Sequence, residues 1–407
     1  MRAFHRRPLL AGLAGAVAAP VAVRAQAQEW RIGALFPFSG PLALVGDESF
    51  RGLEIAVEAR NEAGGVLGRP LRLVRGDAVD QAQAAAEARR LMTAERVSVV
   101  FGTAFSTLSF AATQVTELQG VPYFELGATA DTITERGFHY VFRTGPRSAA
   151  FGAATAAAIE HALAPALGAA PGALRLAILH EEALDGQLVA QAQEAELRAR
   201  RLQLAEKMAT PERAPDMAAA IQRLRAANVD ILLHDAFQTE AAPVFRAMQE
   251  IGWRPRLLVG AGAAYALADA ARAIGPAFEG VLSLDVPPFA VNAGAAPGAA
   301  AFLESYKRRY GAEPRSGHSL ANFAGAGVCL DALQDAGAAD KDRVRAAVLA
   351  TDLPEGGLAT GWGARFDDKG QNGRAFPLLA QWQDGRLVTV FPAPAAVAAL
   401  RARMGTG

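Results

Sequence analysis

Two short loops carry the residue types that could hold an anion. Gly102-Thr103-Ala104-Phe105-Ser106-Thr107 follows the apolar run Val97 to Phe101 and opens a stretch of helical period. The Ser106 hydroxyl and the free N–H groups of a first helical turn would therefore face one way, as an anion requires. Gly127-Ala128-Thr129-Ala130 repeats the arrangement after the run Val121 to Glu125, with Thr129 in the role of Ser106. From adjacent strand ends the two loops can converge on one carboxylate. Each loop alone also reads as an ordinary N-cap, because Ser and Thr commonly start helices.

Catalytic and metal chemistry lack their local signatures. None of the six histidines lies in H-E-x-x-H, and there is no G-x-S-x-G elbow and no G-x-x-x-x-G-K-[ST] loop. Gly260-Ala261-Gly262 follows the strand-like run Leu257 to Val259, but the third glycine of a dinucleotide fingerprint would fall at Tyr265. No cofactor is expected. The single cysteine, Cys329, has no second thiol for a disulfide or a zinc site. His180 and His234 each end a predicted strand, where open α/β sheets bind ligands. They either line a cleft or hydrogen-bond to nearby backbone.

The elements that must position these loops alternate between short apolar runs and longer stretches of helical period, the signature of an α/β chain with parallel sheets. Strands are predicted at Arg31 to Phe36, Leu71 to Arg75, Val97 to Phe101, Val121 to Glu125 and Tyr140 to Thr144, with helices over 46–63, 81–93 and 105–118 between them. A second series has strands at Arg175 to Leu179, Gln203 to Met208 and Ile231 to His234, and helices over 150–163, 186–197, 217–227 and 240–251. The last third reads as a strand at Val281 to Leu284, helices over 299–310 and 322–336, and a strand pair within 364–390 that turns at Asp368-Lys369-Gly370 and Asp384-Gly385. It completes both lobes by crossing back between them.

The 407 residues are 51% apolar and 20% charged, with 41 basic and 41 acidic side chains. That composition fits a globular chain of two domains. It gives no basic footprint for nucleic acid. Met1 to Ala27 has a basic start (Arg2, Arg6, Arg7), an apolar run from Leu9 to Val23, and small residues at Ala25 and Ala27. It reads as a secretory signal peptide. Arg6-Arg7 before Pro8-Leu9-Leu10 resembles a twin-arginine leader, so the Sec and twin-arginine routes both stay open, as does an anchor that is never cut. Cleavage takes away four arginines and no acid, leaving a mildly acidic chain of 37 basic and 41 acidic groups.

Several segments, taken in order, resemble the leucine/isoleucine/valine-binding proteins, periplasmic receptors of ABC importers. They are Pro37-Phe38-Ser39-Gly40-Pro41, Gly46-Asp47, Asn61-Glu62-Ala63-Gly64-Gly65-Val66, Asp77, Val99-Val100-Phe101-Gly102, Thr134-Glu135-Arg136-Gly137, Phe142-Arg143-Thr144 and Phe366-Asp367-Asp368-Lys369-Gly370. The resemblance spans essentially the whole chain after the leader. It implies the type I periplasmic fold, two doubly wound parallel-sheet lobes joined by a multi-strand hinge. Lobe 1 would hold residues 29–145 and 286–376, and lobe 2 residues 146–285 and 377–407. Crossings fall near Gly145 to Arg147, Asp285 to Pro287, and Phe376 to Pro377.

The resemblance also implies a site and a role. A ligand carboxylate would be held by Ser106 and by Gly127, Ala128 and Thr129, with Phe105 beside them. The family's aromatic or bulky walls align near Val45, Leu184 and Phe237. Its ammonium-binding acid aligns at or beside Gly262, in a stretch, Gly260 to Ala264, that holds no acid. The expected ligand therefore keeps its carboxylate and lacks the amine, with aromatic or branched aliphatic acids first, amino acids second and amides third. Asp185 and Asp235 are candidate replacement acids, or solvated loop acids. Phe105, Phe237 and Tyr265 are candidates to pack on the ligand's body. The implied protein is a periplasmic monomer, not an enzyme, whose partners are a small carboxylate-bearing molecule and an inner-membrane ABC permease. The alternative is a ligand sensor of the same fold.

Overall fold

A computed structural model describes residues 29–211, 216–238 and 241–405. The leader reading, Met1 to Ala27, lies outside them. The first body alternates β1 (Trp30–Phe36), α1 (Ala43–Glu62), β2 (Leu71–Asp77), α2 (Gln81–Thr93), β3 (Val99–Gly102), α3 (Ser106–Gln119), β4 (Tyr123–Glu125) and β5 (Val141–Arg143). Every residue of β3, β4 and β5 is buried, as a parallel sheet covered on both faces demands. Local signals set the helix limits. The Asp80 side chain accepts from Gln83 N–H to start α2, and left-handed Gly120 stops α3. The strands run parallel in the order β2-β1-β3-β4-β5. Their order reverses between β1 and β3, which places a crevice at the carboxyl ends of those strands.

The chain then builds a second sheet. α4 (Ser148–Ala158) runs through a π turn into the short α5 (Ala164–Ala166), followed by β6 (Arg175–Glu181), α6 (Leu184–Ala199), β7 (Gln203–Thr210), α7 (Ala218–Ala226), β8 (Ile231–Asp235), α8 (Ala242–Ile251), β9 (Leu257–Ala261), α9 (Ala263–Ala266), α10 (Ala268–Ile274) and β10 (Leu282–Asp285). It returns to the first body with α11 (Ala299–Tyr310), α12 (His318–Ala336), α13 (Lys341–Ala350), β11 (Asp352–Leu353) and β12 (Ala364–Arg365). There Phe50 and Leu53 of α1 share a core with Val328, Leu330 and Leu333 of α12. Finally β13 (Leu378–Gln383) and β14 (Arg386–Phe391) close the second sheet, whose order is β14-β13-β10-β9-β8-β6-β7. β13 lies antiparallel to both β10 and β14, so this sheet is mixed at one edge.

The sequence pattern does not anticipate α10 or α13, which are short and weakly periodic. The strand pair expected within 364–390 is also different. The long hairpin is β13–β14, turned at Asp384-Gly385, while Phe366 and Asn372 make only a single bridge around Asp368-Lys369-Gly370.

Behind the carboxyl ends of β8 and β9 sits an aromatic core. The Tyr265 ring lies on the backbone of Gly260, where a Cβ would come within 1.9 Å of it. The ring stacks on Phe278 at 5.9 Å, and Trp382 Nε1 donates to the Tyr265 carbonyl at 2.8 Å. Tyr265 is fully buried there and does not reach the crevice. Its hydroxyl is hydrogen-bonded to His234 Nδ1. Burial, with His180 nearby, pushes the His234 pKa down to about 3, so the ring is neutral. His180 Nδ1 lies 2.9 Å from the Glu181 carbonyl, so both histidines are tied to protein groups.

The depressed pKa gives a sign for acid sensitivity. Below the ordinary value of about 6.5 the unfolded chain takes a proton at His234 and the folded chain does not, so stability falls by up to about 1.4 kcal/mol per pH unit toward pH 3. His234→Gln keeps a polar partner for Tyr265 but cannot titrate. Urea unfolding at pH 7.5 and 4.5 should show about 2 to 3 kcal/mol less acid loss in the variant; parallel losses in both proteins would show that His234 contributes none of it.

Candidate functional site

The two loops singled out above do converge on one carboxylate. Ser106 N–H donates to Asp185 Oδ2 at 2.8 Å and the Ser106 hydroxyl donates to Oδ1. Thr129 adds its N–H at 3.2 Å and its hydroxyl at 2.9 Å, both to Oδ1. Ala130 N–H donates to Ser106 Oγ at 3.0 Å, which leaves the serine proton free for the carboxylate. Asp185 stands in the first turn of α6, on the opposite body, and is 1% exposed. The reading of Asp185 as a solvated loop acid is thereby corrected. Sequence spacing could not reveal the contact, because it joins residues 79 positions apart across two sheets.

A second carboxylate, entirely buried, sets the loops. Glu125 ends β4 and accepts from Thr103 N–H at 3.0 Å, Gly127 N–H at 2.9 Å and Ala128 N–H at 2.8 Å, and from the hydroxyls of Tyr123 and Ser109. It thus ties the loop after β3 to the loop after β4. Burial pushes its pKa up against the pull of those donors. On the other side of the second loop, Arg143 is fully buried. Its Nη1 donates to the carbonyls of Ala128 at 3.2 Å and Ala130 at 2.6 Å, and its Nε to Gln371 Oε1 at 2.6 Å. Holding those carbonyls back turns the Thr129 N–H forward. Burial pulls Arg143 down to about 10 while Asp131 and Glu125 oppose it, so it remains a cation behind the loop at neutral pH.

Beside the Asp185 contact lies a cavity of about 20 Å³, room for about one water molecule. Val45, Phe105, Gly127, Thr129 and Phe237 line it, together with Asp285 and His318. Phe237 is held edge-on by Phe151 at 5.9 Å. Other expected site residues sit elsewhere. Leu184 packs beside the cluster that contains Val45 and Phe105. Ala128 is buried and contributes its carbonyl to Arg143 and its N–H to Glu125. Gly262 caps α9 at φ +92°, and a Cβ there would lie 2.7 Å from the Ala236 carbonyl and 2.8 Å from Phe237. An acid could not stand at Gly262 without moving that backbone. Asp235 is buried too, held by Gln193 at 3.0 Å, so it is no more a solvated acid than Asp185 is.

Further contacts close the seam between the bodies. Gln238 Nε2 donates to Thr107 Oγ1 at 3.1 Å, Arg315 pairs with Asp269 at 2.9 Å, and Ala268 N–H donates to the Arg315 carbonyl at 3.0 Å. The clamp that Glu125 provides is testable in isolation. Glu125→Gln points an amide at one set of its donors and should cost about 1 to 3 kcal/mol in chemical unfolding. A cost below about 0.5 kcal/mol would mean that the folded chain carries Glu125 protonated.

Among the described residues no cluster of His, Cys, Asp or Glu could hold a metal ion, and no helix is long and apolar enough to cross a membrane. The Leu/Ile/Val-binding protein homolog 7 of Brucella suis biovar 1 is 44% identical over 372 residues, 91% of this chain and 93% of the relative. Among solved structures, the leucine binding protein LivK of Thermotoga maritima superposes with a TM-score of 0.78 at 22% identity, over 88% of this chain and 97% of that one. The branched-chain amino acid transporter substrate binding protein LivJ of Streptococcus pneumoniae, in complex with isoleucine, gives 0.76 at 20% identity, over 88% and 98%. These two share the type I periplasmic fold with this chain. The family described as periplasmic binding protein matches residues 29–386, and with two sheets facing each other across a polar seam the chain belongs to that family, together with the Leu/Ile/Val-binding protein homologs.

Proposed function

We propose that this protein captures a small carboxylate-bearing molecule with a branched aliphatic or aromatic body, shuts its two lobes on it, and presents it to an inner-membrane ABC permease, binding without catalysis. The observation that supports this most is the set of four donors on Ser106 and Thr129, which hold a carboxylate at the seam between the lobes. Two backbone N–H groups and two hydroxyls suit a carboxylate from any source, because charge-assisted bonds of this kind depend on the anion and not on what carries it. Phe105, Phe237 and Val45 beside it offer the apolar wall that small-molecule sites commonly have.

In the structure that carboxylate is the protein's own. A ligand carboxylate must therefore displace Asp185, and the lobes must part for it to enter, since the cavity admits about one water molecule. The hinge lies in the segments near Gly145 to Arg147, Asp285 to Pro287 and Phe376 to Pro377, where a few residues can absorb the dihedral change. Asp185 then acts as an internal competitor that lowers the apparent affinity by the fraction of molecules it occupies.

Calorimetry on leucine, phenylalanine and their deaminated acids tests this reading. In an Asp185→Ala background, where no internal carboxylate competes, Ser106→Ala combined with Thr129→Val should weaken a bound acid by several kcal/mol, each charged hydrogen bond being worth about 1.5 to 3 kcal/mol. Asp185→Ala should tighten it. Unchanged affinity in the first variant, or weaker binding in the second, moves the ligand's carboxylate away from these loops. Export is checked separately: N-terminal sequencing of periplasmic material should read from about Gln26 or Gln28, and a sequence beginning at Met1 contradicts a cleaved leader.

A further inference from the structure

The carbonyl of Thr129 is held from the other body. In the loop after β4, Glu125 takes the N–H groups of Gly127 and Ala128, and Arg143 takes the carbonyls of Ala128 and Ala130, so both of those clamps belong to the first body. The Thr129 carbonyl between them accepts from Ser148, from its backbone N–H at 2.8 Å and from its hydroxyl at 3.0 Å. Ser148 is the buried first residue of α4, and α4 packs Phe151 and Ala158 into the core of the second body with Leu176 and Ile178 of β6. Three residues earlier the chain is still fixed to the first body, where the Gly145 carbonyl accepts from Gln371 Nε2 at 3.2 Å and Gln371 bridges to Arg143 of β5. Only Pro146 and Arg147 separate the two attachments.

The peptide between Thr129 and Ala130 therefore has one end on each body. Its oxygen takes two bonds from Ser148, while its N–H donates at 3.0 Å to Ser106 Oγ, whose own proton goes to the Asp185 carboxylate. Hydrogen bonds in a chain polarise one another, so donors on the carbonyl strengthen the Ala130 N–H and, through it, the Ser106 hydroxyl as a donor to the anion. We infer that Ser148 is a positioning residue for the carboxylate site: its bonds go to Thr129, and it aims and polarises the Ser106 and Thr129 donors that touch the anion. For a ligand's carboxylate the inference rests on the carboxylate reading above. It also ties the site to the lobe angle. Turning α4 about Pro146 and Arg147 re-aims the Ser148 N–H and hydroxyl first, because they lie one residue beyond the joint. The anion loops of the first lobe are then fully set only with the second lobe closed, and a bound carboxylate favours closure by the same margin.

A double-mutant cycle on the full-length mature protein tests this, with the protein's own Asp185 as the probe anion. Ser148→Ala removes the hydroxyl donor and should lower the folding constant, read by urea unfolding, by about tenfold. In Asp185→Ala the same change should cost about threefold or less, because the chain of bonds no longer ends on a carboxylate. Equal cost in both backgrounds overturns the proposal, since a serine that merely packs the joint would not sense Asp185. Residue-resolved amide hydrogen exchange decides the matter without a Ser148 variant. In Asp185→Ala the Ser148 and Ala130 amides should lose protection together, by about tenfold, while the Gly127 and Ala128 amides held by Glu125 keep theirs. Loss at Ala130 with Ser148 still protected, or no loss at either, overturns the proposal. Neither measurement uses an added ligand, so the carboxylate reading fails separately. If the cycle shows coupling while leucine, phenylalanine and their deaminated acids all fail to bind Asp185→Ala, Ser148 keeps its role toward Asp185 and capture of a ligand carboxylate falls.

Discussion

One buried carboxylate organises the carboxylate-binding loops. Glu125 reaches from the end of β4 to N–H groups on both loops, and without it the segments after β3 and β4 would be two independent turns. Burying a charge is costly unless hydrogen bonds replace its water. Five donors do so here, and the expense explains why their geometry is so fully determined. Arg143 supplies the opposite sign from behind, gripping the carbonyls that Glu125 does not touch. The loops are thus stretched between an anion at one end and a cation at the other. Their free N–H groups have one direction left to face.

The same arrangement makes the seam between the lobes self-complementary. An anion receptor on one lobe finds an aspartate on the other, carried on the first turn of a helix where a negative side chain is also favoured by the helix field. Such a contact holds the lobes together without any ligand. Under the proposed function, binding exchanges one carboxylate for another, and the net gain comes from what the second carboxylate brings with it. On that reading discrimination shifts from the anion loops, which accept any carboxylate, toward Phe105 and Phe237 on the cavity wall.

Much of this was legible from sequence, and the parts that were not share a physical reason. The alternation of strands and helices, and the two Ser/Thr loops at strand ends, are local patterns whose consequences stay within about twenty residues. Ser106 and Thr129 could be found that way. Asp185 and Arg143 could not, since each acquires its role from a partner elsewhere in the chain. Glu125 looked like a strand terminus, because nothing in a single strand tells an acid that faces solvent from one that faces five donors. Tyr265 is the converse case. It sits in a stretch that aligns with a binding site, yet Gly260 leaves a flat backbone on which its ring lies down, away from the crevice.

The interleaving of the two lobes along the chain bears on how the molecule comes to be made. α1 ends at Glu62 and its partner α12 begins at His318, so the core of the first lobe contains contacts more than 250 residues apart in sequence. Topologies dominated by distant pairings fold slowly, because the loop must close before its contacts repay the lost freedom. Until α12 has been synthesised, Phe50 and Leu53 have no cover on that side, and the unfinished first lobe exposes apolar surface throughout the time the second is being built. Nor can the second sheet finish early, since β13 must pair with the already formed β10. Neither lobe can serve as a completed template for the other, and assembly of both is deferred to nearly the last residues of the chain.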